Sequence, residues 1–267
     1  MIRRYSDAMN FMMKHKQSFM IGGLMIVIGL AGAHYLYKQQ QYQKESVPVA
    51  VEIGKLAQQQ SATQLAGGST ESADLAPHLP SELNLKMTFY PQAPFGNWDF
   101  PWQEACEEAS ILLIANTYYD HQWTREQFND QILQLVEWEN KSFGNYRDTT
   151  VQQVSQMLQD YLHLKNVIHK NPNFDDLQKI LARGHLVVMV FAGRELGNPF
   201  YTNGGPLYHA MVLKGYKTGE KVITEDVGTR RGEDYVYDWK TLYKATHDFT
   251  EPIDDGGKFM IEVLPPN

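Results

Sequence analysis

A single cysteine, Cys106, occurs among the 267 residues, within the stretch Gln-Glu-Ala-Cys-Glu-Glu-Ala-Ser. The pattern predicts that it sits in the first turn of a helix. Unpaired backbone N–H groups and the partial positive charge at that end favour a thiolate over a thiol, and the thiolate is the nucleophile. Downstream, His209 stands in a Tyr-His-Ala-Met-Val-Leu run and Asp226 closes Lys-Val-Ile-Thr-Glu-Asp. Cysteine, then histidine, then an acid, each beside an expected regular element, is the order that nucleophilic thiol catalysis needs. The alternative is an inert buried thiol. Glu107 and Glu108 follow the cysteine directly. Carboxylates that close raise a thiol's pKa. They read as first-turn glutamates that stabilise the helix, with selection of a cationic substrate group as the other reading.

Composition bounds what surrounds these residues. Charged residues make up 21% and hydrophobic ones 43%, as in an ordinary globular protein, and the formal net charge is −7. A nucleic-acid binder would normally carry a basic stripe instead. One cysteine rules out an intrachain disulfide and a multi-cysteine zinc site, and nothing in the pattern calls for a metal or a cofactor.

The N-terminus carries a membrane signal. Residues 19–37 are almost wholly apolar, and a run of about 20 apolar residues crosses a bilayer as a helix. Arg3, Arg4, Lys14 and Lys16 precede it, whereas only Lys38 and Lys44 follow closely. That asymmetry predicts a single-pass protein with residues 1–18 as a cytoplasmic tail and the rest outside the cytoplasm. The alternative is a secreted chain whose signal peptide is cut after the small residues Ala31-Gly32-Ala33. Residues 38–84, with Gln runs, Gly67-Gly68-Ser69-Thr70 and Pro77-His78-Leu79-Pro80, read as a low-complexity stalk, too polar to offset its ordering entropy. Val47–Ile53 within it could form a short strand.

About 180 residues remain, enough for one domain with a core. Leu85–Tyr90 alternates and predicts a strand; 92–102 is a loop rich in Pro, Gly and aromatics. Helices are expected at 104–119, from the N-cap Thr124 to Lys141, from Thr149-Thr150 onward, and at 175–182 with Gly184 past its end. The period then changes. Leu186–Phe191 is a continuous apolar strand. Leu207–Tyr216 and Lys221–Glu225 form a hairpin around Lys217–Glu220, Asp238–Ala245 a helical turn, and Lys258–Leu264 a last strand. Helices first and antiparallel strands afterwards make an α+β domain.

These residues also resemble a family. Tyr90-Pro91-Gln92-Ala93-Pro94-Phe95-Gly96-Asn97-Trp98 followed by Cys106 resembles papain-like cysteine peptidases, closest to the double-glycine, bacteriocin-processing group and its stand-alone relatives. Gly204-Gly205-Pro206-Leu207-Tyr208-His209-Ala210-Met211-Val212 is similar to their histidine strand. Glu225-Asp226-Val227-Gly228 is similar to their Asp-Pro-Gly segment, with Val227 in the proline's place, and Glu107-Glu108 stand where Gly-Pro is frequent. The resemblance covers 85–267 and implies a papain-like fold, with N-terminal helices packed on an antiparallel sheet, and a peptide or protein substrate. It implies that Cys106 is the nucleophile, His209 its proton acceptor, Asp226 the residue that holds the imidazole, and Gln92 a donor to the oxyanion, with Gln103 as rival for that last role. Peptide or amide hydrolysis through a thioester is the expected reaction. A catalytically silent binding module and an amidase or transamidase acting on cell-wall peptides are the alternatives.

The other candidates carry less. His185 precedes a buried strand and reads as structural. His121, His163 and His169 lack a carboxylate or cysteine at ligand spacing, and His247 reads as a local capping residue. Trp98, Phe100 and Trp102 could line a cleft or pack the loop. The 198–205 loop before His209 could shape specificity, and Arg230 and Arg231 could bind a substrate carboxylate or be solvated.

Overall fold

The structure, a computed structural model, describes residues 45–56 and 79–266. The membrane span expected at 19–37 lies outside the described residues, as do the tail before it and 57–78 of the expected stalk. Among the described residues no helix is long and apolar enough to cross a membrane.

The folded unit is α+β. Its elements in chain order are β1 (Leu83–Asn84), α1 (Cys106–Tyr118), α2 (Arg125–Ser142), α3 (Val151–Gln156, continued by a π-turn over Met157–Tyr161), β2 (Asn166–Lys170), α4 (Phe174–Ala182), β3 (Leu186–Ala192), β4 (Tyr208–Lys217), β5 (Lys221–Glu225), β6 (Tyr235–Asp238), α5 (Trp239–Ala245) and β7 (Phe259–Val263). The strands build one antiparallel sheet in the order β2-β7-β3-β4-β5-β6, with β1 beside the far end of β4. Three helices start in reciprocal capping boxes: Thr124 with Gln127 and Thr150 with Gln153, where starts were expected, and Asn173 with Asp176, ahead of the expected start at Asp175. Each satisfies two otherwise orphaned N–H groups.

Helix α1 is the keystone. Cys106 through Asn116 are all buried, so the helix has no solvent face along that stretch, as expected for one enclosed by core. It packs on β4, and β3 is buried along its whole length. Close approach of β1 to β4 depends on Gly215, where a Cβ would lie 2.3 Å from the Leu83 carbonyl oxygen.

Two strands escape the pattern reading, β2 and β6, and both are sheet edges. Edge strands are short and half-polar because they face water and must resist pairing with other chains. The strand expected over Leu85–Tyr90 contracts to Leu83–Asn84 plus a parallel bridge from Leu85 to Val51.

Residues 45–56 pack on this domain. The Val51 N–H donates to the Asn84 carbonyl at 2.8 Å, and the Lys86 N–H returns to the Val51 carbonyl at 2.9 Å. Leu56 is buried, and Ile53 packs close over Gly184, where a Cβ would sit 3.1 Å from the Ile53 methyl. The compact unit accordingly spans Lys44–Asn267. A fragment beginning at Leu85 should therefore be less stable than one beginning at Lys44. The difference should be at least the roughly 2 kcal/mol that burying one leucine contributes. Urea unfolding of the two fragments measures this, and equal midpoints would show the segment to be a passenger.

Candidate active site

The site forms where α1 meets the first residues of β4. Cys106 opens α1; the residue is 6% exposed, and its thiol faces the backbone N–H of Ala210, one residue past His209. His209 itself is buried and pairs with Phe191 of β3 across the sheet. Asp226 follows β5, the neighbour of β4, and its Oδ1 lies 2.9 Å from His209 Nε2. A hairpin with positive φ at Gly219 and Glu220 makes this meeting possible. Gly228 lies against the imidazole, where a Cβ would come within 2.7 Å of Cε1; only glycine leaves room for the ring.

Asp226 sits in a cage of donors. Its Oδ2 accepts from Asn198 Nδ2 at 2.9 Å and from the Tyr201 and Tyr237 hydroxyls, each at 2.7 Å. Its Oδ1 also accepts from the Gly228 N–H at 3.1 Å. Burial pushes the carboxyl up, but the charge and hydrogen bond of His209 and the two phenols outweigh it, so the pKa lies below the ordinary aspartate value. The group is therefore an ionised acceptor, and the His209 nitrogen facing it must carry the proton. One residue earlier, Glu225 shares the buried Lys214 with Asp234, at 2.7 Å to each, which pins the strand end that delivers Asp226. Asn198, Tyr201 and Tyr237 were not among the expected site residues. The 198–205 loop supplies two of them, so at those positions it serves the aspartate.

The thiol is not in the state the helix position predicts. Burial pushes the Cys106 thiol well above the ordinary value, the charge of Glu107 and a hydrogen bond to it add to this, and the Ala210 N–H opposes. The thiol donates to Glu107 Oε2 at 2.8 Å. Glu107 and Glu108 lie in the first turn of α1, as expected from sequence. They are 1% and 0% exposed, which leaves them inaccessible to a cationic substrate group. Glu108 is raised well above the ordinary carboxyl value by burial and by the charge of Glu139 from α2. The sequence did hold a signal for this: the apolar run Ala-Ser-Ile-Leu-Leu-Ile-Ala that follows offers α1 no polar side on which to expose them.

Gln92 is buried in the loop before α1. Its side-chain amide donates to the Trp102 and Gln103 carbonyls at 2.9 and 3.1 Å, and its backbone N–H donates to the Val227 carbonyl at 3.0 Å. It thus ties the turn entering Cys106 to the turn leaving Asp226. The Gln103 side chain is exposed and donates to Glu104 Oε1.

The remaining candidates lie elsewhere. His121 stacks on Trp123, His247 faces the Gly256 carbonyl, the Trp102 indole donates to Asn129, and Arg147 and Arg231 lie over the Phe100 and Phe200 rings. His169, His185 and Arg183 all hold Glu262 of β7. Burial pushes that carboxyl up, but the three partners bring it down from 4.5 to about 2. A depressed folded-state pKa gives stability that is present above the unfolded value and lost as pH falls through the folded one. The protein should thus lose stability between pH 4.5 and about 2, and Glu262→Gln should flatten that dependence. Urea unfolding across the window checks it; an unchanged slope would remove Glu262 from the account.

A helix-initial cysteine packed against a strand whose histidine meets an aspartate is the arrangement of a papain-like thiol hydrolase. The family model described as the Peptidase_C39 like family matches residues 84–250. The chain belongs to that family and is a cysteine peptidase. Among solved structures it is similar to a C39-like peptidase from Bacillus anthracis, at 16% identity over 70% of this chain and 100% of that one, with a TM-score of 0.48. It is also similar to xylellain, a cysteine protease from Xylella fastidiosa, at 13% identity over 74% and 91% of the two chains, with a TM-score of 0.43. No curated protein matches it.

Proposed function

We propose that the protein hydrolyses peptide bonds through a thioester on Cys106, with His209 and Asp226 completing a triad. The observation that carries this is the buried His209–Asp226 pair, 2.9 Å apart, on a strand packed against the helix that Cys106 opens. With Nε2–H given to the carboxylate, Nδ1 holds the lone pair and takes the thiol proton as the sulfur attacks the scissile carbonyl carbon. Collapse of the tetrahedral intermediate breaks the C–N bond, and His209 returns the proton to the leaving amine. Water then attacks the thioester with the same nitrogen as base. Asp226 fixes the ring tautomer and favours the imidazolium that forms. Gln92 is the side-chain donor to the oxyanion, beside the Cys106 backbone N–H. In that role it exchanges one of its two carbonyl partners for the substrate oxygen.

The apolar run at 19–37 and the basic residues before it support an anchored enzyme whose catalytic domain faces away from the cytoplasm. The chemistry is tested by mixing the full chain with an activated peptide ester and recording intact masses. An acyl adduct on Cys106 that hydroxylamine removes is expected. Turnover without any adduct on that residue would overturn the thioester.

A further inference from the structure

In this structure the nucleophile's proton has an acceptor other than histidine. The Cys106 thiol donates to Glu107 Oε2 at 2.8 Å, in buried surroundings. The other oxygen of Glu107, Oε1, accepts from the Thr149 backbone N–H at 3.0 Å and from its hydroxyl at 3.1 Å. Thr149 is itself held, since its carbonyl accepts the Tyr208 hydroxyl at 2.7 Å, and Tyr208 immediately precedes His209. A chain of contacts therefore runs from the strand that carries the histidine, through the loop before α3, to a carboxylate beneath the sulfur.

Burial raises the Glu107 carboxyl above the ordinary value, and the groups that donate to it oppose that shift. Three donors point at it: the thiol, the Thr149 amide and the Thr149 hydroxyl. Glu108, its neighbour on α1, and Glu139 on α2 are both held above the ordinary carboxyl value, by burial first, and the charge of Glu107 adds to this in each. They are the carboxyls best placed to stay protonated. A thiolate 2.8 Å from a carboxylate in a dry site would be two anions in contact, which low dielectric forbids; a thiol donating to a carboxylate is not.

We propose that Glu107 is a thiol-holding residue: it keeps Cys106 a neutral thiol in the substrate-free enzyme until His209 takes its proton. The nucleophile is then made at the moment of attack. The S–H bond breaks towards His209 as the S–C bond forms, and no thiolate–imidazolium pair stands ready beforehand. This rests on Cys106 being the nucleophile, and it adds a resting state and a second residue in contact with the reacting sulfur.

Glu107→Gln tests it. The amide keeps an oxygen for Thr149 and turns an N–H towards the sulfur, so an acceptor for the thiol becomes a donor to the thiolate. The pH midpoint of Cys106 alkylation by iodoacetamide should fall by at least about one unit, which raises the rate at neutral pH roughly tenfold. A midpoint that is unchanged or higher overturns the proposal, and a packing role alone would not lower it. The wild-type chain gives a second measurement that needs no variant to fold. Cys106 is the only cysteine, so the infrared spectrum holds one S–H stretch. That band should be present at neutral pH in the substrate-free protein, and its absence would mean a resting thiolate and defeat the proposal. Neither readout depends on turnover, so both can fail while Cys106 remains the nucleophile. Loss of that assignment shows instead in the acyl-adduct experiment.

Discussion

Cys106→Ala should abolish peptide hydrolysis, with kcat falling by a factor on the order of 10⁴ or more, as expected for removal of a nucleophile from a cooperating triad. The fold should survive. The substitution deletes one sulfur atom from the start of a helix whose hold on the sheet comes from Ile111, Leu112, Leu113 and Ile114, all fully buried. It also takes from the buried Glu107 the thiol that donates to its Oε2, so a modest fall in thermal stability is expected. Turnover of a peptide substrate, measured beside a melting curve, checks both parts. Variant activity within tenfold of wild type would mean that another group performs the attack.

Asp226→Asn should be nearly as damaging to turnover, for a different reason. The carboxylate is fully buried and accepts from His209, Gly228, Asn198, Tyr201 and Tyr237. An asparagine keeps one acceptor oxygen and turns an NH₂ towards partners that are themselves donors. If the amide oxygen faces Asn198 and the tyrosines, its NH₂ faces His209 and selects the wrong ring tautomer. If it faces His209, the Tyr201 and Tyr237 hydroxyls lose the oxygen to which both donate, while Asn198 keeps the Tyr237 oxygen as an acceptor. The first arrangement should lower kcat by roughly 10²–10⁴-fold. The second should cost about 1–3 kcal/mol of stability for a buried donor left without a partner. Kinetics and urea unfolding of the same variant separate them. A variant that loses neither activity nor stability would show that the cage is not needed.

Much of the frame was legible in the sequence because each part has a local cause. Thr124 and Thr150 close their capping boxes within three residues, and β3 and β4 announce themselves as apolar runs. The order of Cys106, His209 and Asp226 pointed to a shared site, and β4 and β5 bring the last two together. What the pattern hid was set by distant contacts. Asn198, Tyr201 and Tyr237 reach Asp226 from a loop and from the edge strand β6, and nothing in their own neighbourhoods marks them as its donors. The glutamates after Cys106 do lie in the first turn of α1, but their burial was hidden for a related reason. A first-turn acid is ordinarily solvated, and only the burial of α1 by β4, α2 and the Thr149 loop turns these inward. Residues 45–56 were assigned to a stalk on composition, yet Val51 and Leu56 dock on the domain because Gly184 and the short β1 leave room for them.

The most direct test of the account is whether the three residues act as one machine. Cys106→Ala, Asp226→Asn and the double variant would be compared by kcat on one peptide substrate. If Asp226 works only through His209 on the Cys106 thiol, the double variant should be no slower than Cys106→Ala alone, because groups that act as a unit lose their effect together. If the double variant is slower by the full Asp226→Asn factor, the two losses are independent, and the aspartate does not serve this cysteine.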